Sequence, residues 1–159
     1  MKLFRVLGIG VMVLLVGVPQ AFCETCTKED AKKAVLYVVD LVKTKGKAAI
    51  PEIEKFRFCG GEGYVYISDM NVVILVHPVH KQLVGVNQAN TLDARGKYFA
   101  AELKVKANGP GEGWVSYAWP NPKTNVIEDK CTYLKTSTMD GKRVIVCAGI
   151  GGVSPKDCK

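Results

Sequence analysis

The stretch Gly113-Trp-Val-Ser-Tyr-Ala-Trp-Pro-Asn-Pro122 sets the frame for the rest of the chain. Val115, Tyr117 and Trp119 recur at every second residue, the period of a strand with one buried face, so Trp114–Trp119 is predicted to be extended. Pro120-Asn-Pro122 then turns the chain. Toward the C-terminus, Cys131–Ser137 and Val144–Ala148 read as two further strands, joined at Asp140-Gly141, a dipeptide that suits a two-residue hairpin. Toward the N-terminus, Tyr98–Lys106 reads as a short helix closed by Asn108-Gly-Pro-Gly111, and Lys81–Gly96 as a polar connection. Earlier still, Tyr64–Ile67 and Val72–Val76 form a hairpin across Asp69-Met-Asn71, with Asn71 expected at positive φ. Tyr64 and Tyr66 share one face of that first strand, and Val65 and Ile67 share the other.

The helices lie ahead of these strands. Thr27 with Asp30 three residues on resembles a capping box, and Ala31, Ala34, Val35, Val38, Leu41 and Val42 follow at helical spacing. The pattern predicts a long helix over Lys28–Lys45 with Gly46 as its stop, and a second short helix over Ala48–Phe56 with Pro51 in its first turn. The fold class is α+β: a long N-terminal helix packed on an antiparallel sheet of five to six strands.

The 159 residues carry 22 Lys and Arg against 15 Asp and Glu, for a formal charge of +7. Lys2 and Arg5 precede an uncharged run from Val6 to Cys23, most apolar over Val6–Val18. A basic start and a short apolar stretch form the pattern of a secretory signal, and the stretch is short for a permanent helical anchor. Residues 1–23 are therefore expected to be removed, with cleavage before Glu24 or, in competition, after Ala21. A retained anchor or an acylated Cys23 is the weaker alternative. The expected mature domain is 24–159, exported to the periplasm or secreted, with no stable membrane anchor after processing. Losing residues 1–23 leaves +5, and the lysines are scattered; the densest group, Lys43, Lys45 and Lys47, sits at a helix end where cations are favoured. This distribution excludes a nucleic-acid partner and leaves a mild preference for anions.

Six cysteines are present, and in an exported chain they are expected to pair. Cys26, Cys59, Cys131, Cys147 and Cys158 are the disulfide candidates, and cleavage before Glu24 leaves them an odd number. The pairing stays open at this level. Cys131 and Cys147, on consecutive strands, are possible neighbours, and Cys158 in the tail is free to reach back. A redox role for Cys23-Glu-Thr-Cys26 is the sharp alternative, although the pair straddles the cleavage boundary.

The motifs in their running order resemble the single-Cache family. They are Tyr64-Val-Tyr-Ile-Ser-Asp69, His77-Pro78, Gly85-x-Asn87, Asp93-x-x-Gly96-Lys97-Tyr98-Phe99, Gly111-x-Gly113-Trp114-Val115-x-Tyr117-x-Trp119-Pro120-Asn121-Pro122, Lys130-x-x-Tyr133 and Gly149-Ile150. The resemblance covers about Thr27 to Ile150 and implies a PAS-like Cache fold, with an extracytoplasmic pocket on the sheet for a small ligand. In this family that ligand tends to be a short organic acid such as acetate, propionate or pyruvate. The chain ends at Lys159 without a second apolar span, so the reading expects a free-standing member that works with a separate receptor, kinase or transporter. Gly151-Gly152 stands where many relatives carry an aromatic, which opens one pocket wall.

Six residues are the ligand-binding candidates: Tyr64, Tyr66, His77, Trp119, Lys130 and Tyr133. A carboxylate in an apolar cavity needs a charge-assisted donor, and Lys130 supplies one. In a regular strand Lys130 and Tyr133 point to opposite faces, so both reach one pocket only if a bulge intervenes or Lys130 is still in the incoming loop. Trp119, ahead of Pro120, is placed to lid the pocket. His77 is expected to donate to the ligand or backbone and, titrating near neutrality, to make binding pH-dependent. His77 and His80 lack a third ligand at a telling spacing, so no metal and no cofactor is expected. Asp69 is explained by local bonds in its turn. No Gly-x-Ser-x-Gly, phosphate loop or paired-carboxylate spacing occurs, which argues against an enzyme. The alternative function is a periplasmic, cysteine-containing redox or structural accessory protein.

Overall fold

Helix α1 spans Lys28–Lys45, and both its ends follow from its sequence. The Thr27 hydroxyl accepts from the Asp30 N–H at 3.2 Å, while the Asp30 carboxylate accepts from the Thr27 N–H at 2.9 Å. Together they close a capping box. Glu29 and Asp30 begin the helix and Lys43 and Lys45 end it, each sign matching the helix dipole. Gly46, at φ 56°, stops it; a Cβ there would collide with the Asp140 carboxylate, so the helix end lies tight against the turn at Asp140-Gly141. A single 3-10 turn at Gly46–Ala49 leads into α2, Ile50–Lys55, with Pro51 in its first turn.

The structure, a computed structural model, describes residues 26–121 and 123–159. The expected signal over 1–23, Cys23 with its possible pairing, and Pro122 lie outside the described residues. Five strands follow α2: β1 Val65–Asp69, β2 Ile74–Val76, β3 Glu112–Pro120, β4 Ile127–Met139 and β5 Lys142–Gly151, with α3, Phe99–Asn108, between β2 and β3. They form one sheet in the order β2-β1-β5-β4-β3, antiparallel throughout. The last strand therefore closes the centre of the sheet, between the first hairpin and the β3–β4 pair. At Asp140-Gly141 both residues take positive φ, 50° and 76°, as a two-residue hairpin of matching twist requires.

The strands alternate strictly between two layers. On one side Val65, Ile67, Val144, Val146 and Ala148 pack against Val35, Val38 and Val42 of α1. On the other, Tyr64, Tyr66, Tyr117, Leu134, Ile145 and Cys147 pack against Phe99, Ala100 and Leu103 of α3. The connection after β2 covers that strand's edge: Gly85 N–H donates to Ile74 O at 2.8 Å and Gln88 N–H to Val72 O at 3.1 Å.

Two expectations are corrected here. In the first hairpin Val72, not Asn71, takes positive φ, at 57°, and β2 starts only at Ile74. Asp69 Oδ1 accepts from both Asn71 N–H and Val73 N–H, each at 2.8 Å, and fixes this geometry. A β-branched residue there costs on the order of 1–3 kcal/mol, offset by burying the Val72 side chain to 2% exposure. The second correction concerns the cysteines. Cys26 bonds Cys59 and Cys131 bonds Cys158, while Cys147 is a buried free thiol. Cys131 and Cys147 are not neighbours, because Cys131 lies opposite Ile150 and Cys147 opposite Leu134 in the β4–β5 register. The first disulfide ties the start of α1 to the loop that enters β1; the second ties the C-terminal tail to the sheet.

Candidate functional site

Among the side chains on the α3 face, the aromatic rings do not close completely. Tyr64 and Tyr66 of β1, His77 after β2, Phe99 of α3, Tyr117 and Trp119 of β3, and Lys130 of β4 surround a cavity of about 40 Å³. The cavity is thus larger than a single water requires. Phe99 stacks on Tyr117 with centroids 4.4 Å apart, and Trp119 meets both rings edge-on at 5.4 and 6.0 Å. Half-buried Trp119 thus forms a side wall of the cavity.

Lys130 is the charged group of this site. β4 begins at Ile127, which places Lys130 inside the strand, opposite Tyr117 on β3 and Gly151 on β5. Its residue exposure is 8%. The ammonium donates to the Tyr64 hydroxyl at 3.2 Å and stands 4.9 Å from that ring's centroid. None of the ion pairs among the described residues includes it. Burial opposes its charge, but the phenol oxygens of Tyr117 and Tyr64, with Glu128, outweigh that effect and hold the group above the ordinary lysine value. The stem lies across Gly149, where any Cβ would collide with Lys130 Cε and Thr132 Oγ1.

His77 sits between the rings of Tyr64 and Tyr66, 5.1 and 5.5 Å away, at 5% exposure. Its Nδ1 accepts the His80 N–H at 3.0 Å, which leaves Nε2 to carry the proton of the neutral ring. Burial, then the neighbouring His80, Lys130 and Lys81, push its pKa down to about 3. The expected titration near neutrality is therefore corrected: a His enclosed beside a cation stays neutral at physiological pH. Behind Tyr66, burial pushes the Cys147 thiol up to about 12, so this cysteine is not a reactive thiolate near neutrality.

Tyr133 is the sequence-predicted site residue that the structure places elsewhere. The β3–β4 register runs without a bulge from Glu112–Lys135 to Pro120–Ile127, so three residues along the strand carry Tyr133 to the α1 face. There its hydroxyl donates to Glu112 at 2.8 Å and its ring lies 5.0 Å from Trp114. The other five candidates line one cavity.

Sequence reasoning missed Phe99, Tyr117, Ser68 and Gln88 as lining residues. Tyr117 had a visible signal, since it shares the face of Trp119. Gln88 had none within its polar stretch, because its position depends on the backbone bond to Val72. Asp93 was part of a motif without a role. Its carboxylate accepts from the N–H groups of Arg95, Lys97 and Ala118, all at 2.8 Å, and so pins the segment before α3 to β3 next to Trp119. Burial works against that carboxylate, but these three bonds hold its pKa below the usual range.

Among the described residues, the one group of His, Cys, Asp and Glu compact enough for a metal is Cys26, Asp30 and Cys59, and its two cysteines are joined to each other. No described helix is long and apolar enough to cross a membrane.

Residues 18–150 match the family model for single Cache domain 2. The fold is similar to that of a periplasmic sensor domain of a chemotaxis protein, with a TM-score of 0.69 and 22% identity over 77% of this chain and 92% of that one. It is similar also to a structure described as the basis for carboxylic acid recognition by a Cache chemosensory domain, with a TM-score of 0.69 and 21% identity over 79% and 92% of the two chains. A methyl-accepting chemotaxis protein from Vibrio parahaemolyticus matches with a TM-score of 0.60 and 20% identity over 78% and 87%. At these identities the likeness is one of fold.

Proposed function

The chain belongs to the single Cache domain 2 family, and from that premise we propose that it is an exported sensor domain binding a small organic acid beside Lys130. The observation that carries this reading is the buried Lys130 ammonium, which faces an aromatic cavity and pairs with no carboxylate among the described residues. Such a cation, held charged but facing no carboxylate partner, is the natural counterpart of an anion bound with charge-assisted bonds. Tyr64, and neutral His77 through Nε2, add donors that need no proton exchange. The small size of the cavity, about 40 Å³, favours an acid with a short carbon chain. The family is one of sensor domains, not of enzymes. A similar fold is described as recognising carboxylic acids, which supports the same ligand class here.

In this reading the bound state passes to a separate signalling or transport partner, and residues 1–23 are a signal removed on export. Intact mass of the exported protein tests the second point, since a chain retaining residues 1–23 contradicts it. The ligand is tested by a thermal-shift panel of small acids, amines, urea and purines. An acid at about 100 times its dissociation constant adds roughly 2.7 kcal/mol, a rise of several degrees. A response to an amine or purine with none to any acid would overturn the carboxylate reading.

A further inference from the structure

Tyr64 and Lys130 also close the inner end of an open groove of about 600 Å³. Its floor is where β4 lies against β5. Glu128 and Lys130, two residues apart on β4, project to the same face. Each rests over a glycine: a Cβ at Gly151 would collide with the Glu128 carboxylate, and one at Gly149 with the Lys130 stem. Neither glycine takes positive φ, so what they supply is space. The two glycines thus allow an acid and a base to lie flat on one floor.

Of the other lining charges, two neutralise each other, and Arg57, in no ion pair among the described residues, is held by backbone carbonyls at the groove's edge. Glu62 pairs with Lys123 at 2.6 Å, and the Arg57 guanidinium donates to the carbonyls of Glu54 and Phe56 at 2.9 and 2.7 Å. Half-buried Glu128 accepts from the Asn121 amide at 3.1 Å and joins none of the ion pairs among the described residues. It lies near enough to favour the Lys130 charge, yet the two groups are not within ion-pair distance of each other. A buried ammonium and a carboxylate held apart on one surface are both satisfied by a molecule that carries the opposite pair of charges.

We propose that cavity and groove form one site for a small α-amino acid, its carboxylate on Lys130, its ammonium on Glu128 and its short side chain in the aromatic cavity. This rests on the carboxylate reading above and narrows it from acids to amino acids. The probes are propionate and L-alanine, which differ only by the ammonium group, titrated into the wild-type protein and Glu128→Gln. Alanine should bind about tenfold or more tightly than propionate, the worth of one charge-assisted bond. Glu128→Gln should bring alanine down to the propionate level and leave propionate unchanged, which also shows that the variant is folded. If propionate binds as tightly as alanine, or if Glu128→Gln leaves the alanine advantage intact, the amino-acid inference is wrong and the carboxylate reading stands. If neither alanine, propionate nor any acid of the panel binds, the carboxylate reading itself has failed.

Discussion

On the α1 side of the sheet, Val35, Val38 and Val42 meet Val65, Ile67, Val144 and Val146, all essentially excluded from water. On the α3 side the facing layer is Tyr64, Tyr66, Phe99, Tyr117 and Trp119, with a cavity left in its midst. The same strands serve both layers through their alternation. Branched aliphatic side chains interdigitate with few gaps and bring no polar atoms, so the first layer stabilises the fold. Flat rings with hydroxyls leave shaped gaps and polar handles, so the second layer forgoes packing and gains a place for a polar guest. Lys130 belongs wholly to the second layer and Tyr133, three residues on, wholly to the first.

That division sets the size of several expected effects. Ile67→Ala, in the aliphatic layer, should cost about 3 kcal/mol and lower the melting temperature by on the order of 10 °C. Ligand affinity in the variant, measured below its melting range, should be unchanged; a selective loss of affinity would mean that the layers are coupled. His77 gives the next effect. The second ring proton, which makes the cation, is absent in both states above pH of about 6.5; between about 6.5 and 3 the unfolded chain takes it up and the folded chain does not. Stability should therefore fall as pH drops through that window, by up to about 1.4 kcal/mol per unit. Urea titrations at several pH values should show His77→Gln losing that part of the slope, and identical slopes would contradict a buried neutral His77. The smallest effect is that of Tyr133→Phe, which removes the bond to Glu112 and should cost about 1 kcal/mol with ligand affinity intact. A clear loss of acid binding in this variant would return Tyr133 to the site.

How much of this was legible depended on how local each feature is. The bounds of α1 follow from Thr27, Asp30 and Gly46, all within a turn of the helix ends, and the sequence pattern marks both. The alternation of Val115, Tyr117 and Trp119 likewise fixed a face. The parity of Lys130 and Tyr133 was readable too, and only the regular β3–β4 register was needed to separate them. Features set by distant contacts were not legible. Cys131 reaches Cys158 and not Cys147 because the latter lies on the other face of β5. Val72 takes the strained turn position because its side chain fills the α3-side layer, a gain that turn propensities do not contain. The His77 shift arises from rings and a cation that converge from β1 and β4, which the local His-Pro motif does not reveal.

The claim at the centre of this account is that Lys130 is kept buried for a ligand and not for the fold. Titration of propionate and L-alanine into wild-type protein and Lys130→Met, with the melting temperature of each unliganded protein, tests it directly. Losing a charge-assisted bond worth about 2 kcal/mol or more should weaken binding at least about 30-fold. The oxygens that hold Lys130 charged are largely offset by the burial of its ammonium, so the melting temperature of the unliganded variant should stay within about a few degrees of the wild type. Undiminished binding of both compounds by a folded Lys130→Met variant would contradict the account.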